Sequence, residues 1–236
     1  MFKNKSGSKI DFSNDFSFRN ILELFFIILA VVLFLRLFVM DISRISSESM
    51  EPNLYKNDVV LISKLSYFIG IPNYIPIINS IINFDMKLWY KEPKINDIIV
   101  FSEYDSTNTK LLVKRIAAIP NDSVLFDINT KLIRLNNDYP FEYEVKCKIP
   151  KMNEEISLDN FNKDFYLPYI KNEIENISDT ITSYKFQNNY YFVLGDNFNN
   201  SNDSRDFGLI SGNSIIGKTN FILLSPSKNI FFKFIE

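Results

Sequence analysis

Histidine is absent from all 236 residues of the chain. That excludes Ser-His-Asp and Cys-His catalysis, histidine-ligated metals and imidazole acid–base chemistry near neutral pH. A serine nucleophile here must take its base from Lys, Asp, Glu or Tyr, and lysine is the best-attested choice. Cysteine is almost as scarce. Cys147 alone excludes an internal disulfide and a cysteine-rich zinc site, and no metal or cofactor is expected. A net charge of −2 leaves no electrostatic footprint for nucleic acid. Of only six glycines, four (Gly195, Gly208, Gly212 and Gly217) fall within 23 positions. Spending there what the chain otherwise avoids predicts unusual backbone geometry in that region.

What is present is globular, with 46% hydrophobic and 23% charged residues. The chain is long enough for an anchor and one core of about 190 residues, built in one or two lobes. Ile21 to Met40 is one apolar run of twenty residues, about 30 Å as a helix and matched to a bilayer's hydrocarbon core. It is apolar on every side, as a span should be, and Arg36 can snorkel to an interface. No small-x-small site follows Met40, so a retained span is expected and not a cleaved leader. Lys3, Lys5, Lys9 and Arg19 precede it. The positive-inside rule then puts residues 1–20 in the cytoplasm, 21–40 in the membrane and 41–236 outside.

The body reads as mainly β. Strands are expected at Asn57–Ser66, Ile95–Phe101, Leu111–Ile119, Ile133–Asp138, Tyr190–Leu194 and Ser214–Leu224, from β-branched runs bounded by turn residues. Residues 121–190 carry no recognisable chemistry and read as a second β-rich lobe or insertion. Tyr67 to Pro93, rich in Ile, Tyr and Phe, is either a buried irregular loop or an apolar surface resting on lipid.

Three stretches carry chemistry. Ser46 to Leu54 puts three hydroxyls in four positions just past the span, either as a plain serine-rich turn or as a nucleophile held close to a bilayer. In the strand LLVKRIAAI, Lys114 shares a face with Leu112, Ile116 and Ala118. Burial there would lower its pKa from about 10.4 to about 8–9 at a cost of about 2–3 kcal/mol and create a neutral base. The alternative is a packed stem with its ammonium in water. Gly195 to Gly208 is a loop dense in carboxylates, amides and hydroxyls, whose spacing does not match an EF-hand.

In this order behind an anchor, the segments resemble type I signal peptidases (leader peptidases). Ser47–Pro52 looks like the nucleophile box. Asn57–Lys64 and Asn96–Phe101 look like framework strands, Lys114–Asp122 like the lysine box, and Gly195–Gly208 like the C-terminal box. The resemblance implies one N-terminal transmembrane helix and an all-β catalytic domain of coiled antiparallel sheets in two lobes. It implies Ser49 as nucleophile and Lys114 as general base, with the Ser47 hydroxyl and the Ser49 N–H as oxyanion hole. Ser201 would orient the lysine, and Asp203 would pair with Arg205. Implied partners are secretory preproteins and membrane lipid; the implied location is the bacterial inner membrane, with the catalytic domain on the outer side.

Three departures stand out. Asn57, Asn96 and Asn121 occupy positions where the family usually has glycine, and asparagine is among the residues that best tolerate a left-handed backbone. Phe198-Asn199 replaces Arg-Asp. Glu48 replaces the glycine before the nucleophile, and its carboxylate would suppress a lysine base if it approached Lys114. These departures motivate a second reading, a catalytically impaired membrane protein of the same fold that binds preproteins or partners. A soluble self-cleaving Ser-Lys peptidase is a third, and the apolar run argues against it.

Overall fold

A computed structural model describes residues 18–71, 74–75, 80–81, 86–105, 108–135, 143–174, 177–178 and 180–235. The apolar run forms helix α1 (Phe18–Phe34), continued by a π-helical turn over Leu35–Val39. Strand β1 (Met40–Arg44) follows without a loop, so Met40, read as the last residue of the span, begins the body instead. After the serine-rich turn come β2 (Val59–Ser63), β3 (Phe68–Ile71), a short pair β4 (Tyr74–Ile75) and β5 (Ser80–Ile81), and β6 (Met86–Trp89). The long hairpin β7 (Ile98–Asp105) and β8 (Asn108–Ala118) is next. Then follow β9 (Ser123–Asp127), β10 (Ile133–Arg134), β11 (Glu144–Lys148), β12 (Glu155–Ser157), α2 (Lys163–Glu173) and β13 (Ser183–Lys185). The chain closes with β14 (Tyr190–Leu194), α3 (Ser204–Phe207), β15 (Ile210–Ser211), β16 (Ile215–Ser225) and β17 (Ile230–Phe234).

The main sheet is antiparallel in the order β1-β2-β16-β7-β8-β14-β15, with β17 beside β16. Its strands form where β-branched residues alternate, as expected for pleated, half-buried surfaces. Asn57, Asn96 and Asn121 have φ of 74°, 71° and 77°, so asparagine does hold the left-handed turns that enter three framework segments. One register row crosses the sheet as Met40, Ser63, Lys218, Ile99 and Lys114. The sheet thus joins the strand that leaves α1 to the strand that carries Lys114.

Two of the hydrophobic cores meet at β14. One packs Tyr67, Phe68, Ile99, Phe101, Ile116, Tyr191, Val193 and Ile215; the other gathers Val124, Phe126, Ile149, Phe165, Tyr166, Ile170, Phe186 and Phe192. Strand β14 serves both, with Tyr191 and Val193 on one side and Phe192 on the other, as period-two alternation requires. The second lobe is not purely β. Helix α2, with Pro168 inside it, buries Phe165, Tyr166, Tyr169 and Ile170 on one face. Of the strand expected over Ile133–Asp138, only Ile133–Arg134 is seen; 136–142 lie outside the described residues. The Tyr67–Pro93 stretch divides between its two readings: Tyr67 and Phe68 are core, whereas Ile69 and Leu88 face outward.

Candidate active site

Ser49 sits in the turn between β1 and β2, 7% exposed, and Lys114 lies on β8, 3% exposed. Sixty-five residues apart, they meet with Lys114 Nζ 2.7 Å from Ser49 Oγ. Strand alternation aims the lysine inward: Lys114, Ile116 and Ala118 are buried, and Arg115 points the other way. Burial drives the Lys114 pKa down. The Asp203, Asp196 and Glu103 carboxylates oppose that drop and Arg205 reinforces it, and the net direction is downward. A packed stem with a hydrated ammonium is therefore not what the structure contains.

Lys114 Nζ also lies 3.0 Å from Ser201 Oγ. Asp203 is fully buried. Burial alone would raise its carboxyl, but the Arg205 guanidinium, the Gly195 N–H and the Ser201 hydroxyl outweigh that and hold it below the usual carboxylate range. Arg205 grips it through Nε at 2.8 Å and Nη2 at 2.9 Å, and Gly195 N–H donates at 3.0 Å. Arg205 thus holds Asp203 while Ser201 holds the lysine. Among the described residues no direct ion pair joins Lys114 to Asp203 that would keep the amine protonated, and the Ser201 hydroxyl orients it.

Ser47 Oγ lies 3.1 Å from Ser49 Oγ. The Ser49 N–H has no hydrogen-bond partner among the described residues, so it is free to donate. Ser47, Ser49, Lys114 and Ser201 therefore form one bonded chain, and the Asp203–Arg205 pair acts on its lysine electrostatically.

Glu48 is exposed, and its Oε2 lies 3.5 Å from Asn200 Nδ2. Phe198 stacks its exposed ring on the Arg205 guanidinium, 3.8 Å from centroid to Cζ, so the residue that replaced an arginine braces the other member of the Asp203 pair.

Sequence reasoning missed the clamp on the nucleophile turn. Asn197 N–H donates to Ser49 O at 2.9 Å and its Nδ2 to Glu48 O at 3.1 Å. Asp196 takes a bidentate pair from Arg115 (2.7 and 2.8 Å) and a bond from Asn53 Nδ2 at 2.7 Å. It thereby fastens the loop to β8 and to the serine turn. Both residues lie in boxes already marked, but their pairing needs the fold. The glycine cluster also has mixed causes. Gly208 has φ of 90°; at Gly195 the cause is space, because a Cβ would lie 2.1 Å from Ser201 Oγ and 2.5 Å from Ser49 O.

A family model described as "Signal peptidase, peptidase S26" matches residues 18–224. Signal peptidase I of Buchnera aphidicola subsp. Baizongia pistaciae (strain Bp) is 31% identical over 239 residues, covering 84% of this chain and 74% of that protein. Signal peptidase I of Rickettsia akari (strain Hartford) is 28% identical, covering 86% and 78%. Among solved structures, a signal peptidase I from Enterococcus faecalis V583 overlaps 54% of this chain and 97% of its own at 24% identity, with a TM-score of 0.25.

Proposed function

The chain belongs to the signal peptidase (peptidase S26) family of serine proteases that cleave signal peptides, and on that premise we propose that Ser49 is its nucleophile and Lys114 its general base. The observation that carries the proposal is the buried 2.7 Å contact between Lys114 Nζ and Ser49 Oγ. Neutral Lys114 accepts the Ser49 proton as Oγ attacks the scissile carbonyl, and the resulting oxyanion is met by the Ser49 N–H and the Ser47 hydroxyl. Protonated Lys114 then gives that proton to the departing amine, leaving an acyl-enzyme on Ser49. Water, deprotonated by the same lysine, releases the signal peptide and restores the serine. Ser201, Asp203 and Arg205 hold Nζ on this path.

The substrate is read as an extended preprotein segment. Strand β8 is paired by β14 only at Arg115, Ile116 and Ala118. Its edge leading up to Lys114 is therefore open on that side among the described residues, and a chain can add there by backbone pairing. The span reading is supported by an apolar helical stretch, Arg19–Val39, with no buried residue in it. Exposed Ile42, Phe231, Phe232 and Phe234 on the sheet, and Ile69 and Leu88 on β3 and β6, support lipid contact beside it. With the basic residues ahead of the helix, this gives a single-pass protein of the bacterial inner membrane whose catalytic domain faces outward. Purified protein in lipid should cleave a preprotein, and Ser49→Ala and Lys114→Ala should each abolish cleavage. Equal cleavage by Ser49→Ala would refute the assignment.

A further inference from the structure

We infer that Glu48 is a specificity-determining residue on the leaving-group side of the cut, favouring substrates whose first residues after the scissile bond carry positive charge. The inference rests on the peptidase reading above and assigns one more residue within it.

The side is fixed by proton transfer. The group that takes the proton from Ser49 must deliver it to the departing amine, so that amine leaves next to Lys114 Nζ. Nζ sits between Ser49 Oγ at 2.7 Å and Ser201 Oγ at 3.0 Å. The register agrees. A chain lying on the open edge of β8 meets β14 at the pairing of Leu194 with Arg115. The 195–201 loop follows Leu194 directly, at the end of that open edge.

That loop is where the Glu48 side chain lies. Asn197 binds the Glu48 carbonyl at 3.1 Å and the Ser49 carbonyl at 2.9 Å, and Asn200, the residue before Ser201, faces the Glu48 carboxylate at 3.5 Å. The loop's own carboxylates are committed elsewhere. Asp196 is gripped by Arg115, Asp203 by Arg205, and Asp206 accepts the Asp203 N–H at the start of α3. Glu48 has no cation partner among the described residues, is exposed, and is covalently adjacent to the nucleophile. A chain departing across residues 197–201 therefore passes an uncompensated negative charge.

The expected size follows from distance. At roughly 6 Å in water, one unit charge changes the interaction by about threefold in affinity. Exchanging Lys for Glu in the substrate spans two units and gives about tenfold. Salt must weaken it, because the pair is solvated.

The test uses the full-length protein in detergent and peptides identical up to the cut, with Lys, Gln or Glu at the second residue beyond it. Wild type should cleave the Lys peptide with a kcat/KM about tenfold above the Glu peptide at low salt, shrinking towards unity near 1 M salt. In Glu48→Gln the ratio should collapse to within about twofold, and in Glu48→Lys it should invert. A wild-type ratio near one, a ratio that survives Glu48→Gln, or a larger effect from charge placed before the cut would overturn the inference and leave the peptidase reading standing. No cleavage of any peptide by the wild type would overturn both.

Discussion

Replacing Gly195 with alanine adds one methyl group at the point where the nucleophile turn and the lysine's orienting serine come closest. The new Cβ would stand 2.1 Å from Ser201 Oγ and 2.5 Å from Ser49 O, where ordinary contact begins near 3.4 Å. Neither neighbour can yield alone. Ser201 is tied to Lys114, and the Ser49 carbonyl is held by Asn197. Relief therefore requires the serine turn and the 195–203 loop to separate by more than about 1 Å, a misplacement that costs about a hundredfold in rate. That equals about 2.7 kcal/mol of transition-state stabilisation. The same overpacking costs about 1–3 kcal/mol of stability. The assay is kcat and KM on a preprotein or peptide, alongside thermal melting. Gly195→Ala should stay folded, lose most of its effect through kcat and keep KM within a few-fold. A variant within threefold of wild-type kcat would refute the view that the dyad depends on that close approach.

Two further substitutions probe buried lysines. Lys64 is 1% exposed, and its Nζ donates to Arg36 O at 2.7 Å and Leu37 O at 3.4 Å, carbonyls of the turn that ends the apolar helix. Lys64→Met leaves those carbonyls and Asp41 short of a partner, at about 1–3 kcal/mol. It should slow cleavage of a preprotein in liposomes more than cleavage of a short soluble peptide; equal losses would mean that the contact serves the fold alone. Lys114 has a lowered pKa, so the folded chain resists a proton that the unfolded chain accepts. That penalty is full below the folded pKa and fades as pH rises through it towards 10.5. Lys114→Met should be inactive yet melt higher at pH 7, by about 2–4 °C for each kcal/mol gained, and its advantage should shrink at high pH. A lower melting temperature at pH 7 would contradict the burial argument.

Much of the site was legible because its chemistry sits in short boxes. A missing histidine forces an unusual base, and alternation along LLVKRIAAI turns Lys114 towards the core before any fold is known. Asn57, Asn96 and Asn121 announced left-handed turns for the same local reason. What stayed hidden was set by contacts between distant segments. Asp196 could be seen as a loop carboxylate but not as the partner of Arg115 and Asn53. Gly195 suggested backbone freedom, whereas its role is to leave room beside Ser49. Strand β1 was hidden by the apolar run it continues, and the helical face of α2 shows only once Phe165, Tyr166, Tyr169 and Ile170 are seen to pack. The Glu48 carboxylate could have gone either way in sequence; the fold turns it to Asn200.

The central claim, a neutral buried lysine acting on Ser49, is tested most directly by the pH dependence of preprotein kcat/KM. The rate should show a rising limb whose midpoint lies clearly below the usual lysine value of 10.5, since activity requires deprotonated Lys114 and burial lowers its pKa. A rate that does not change with pH through that range, or a limb at the value of a free lysine, would contradict it.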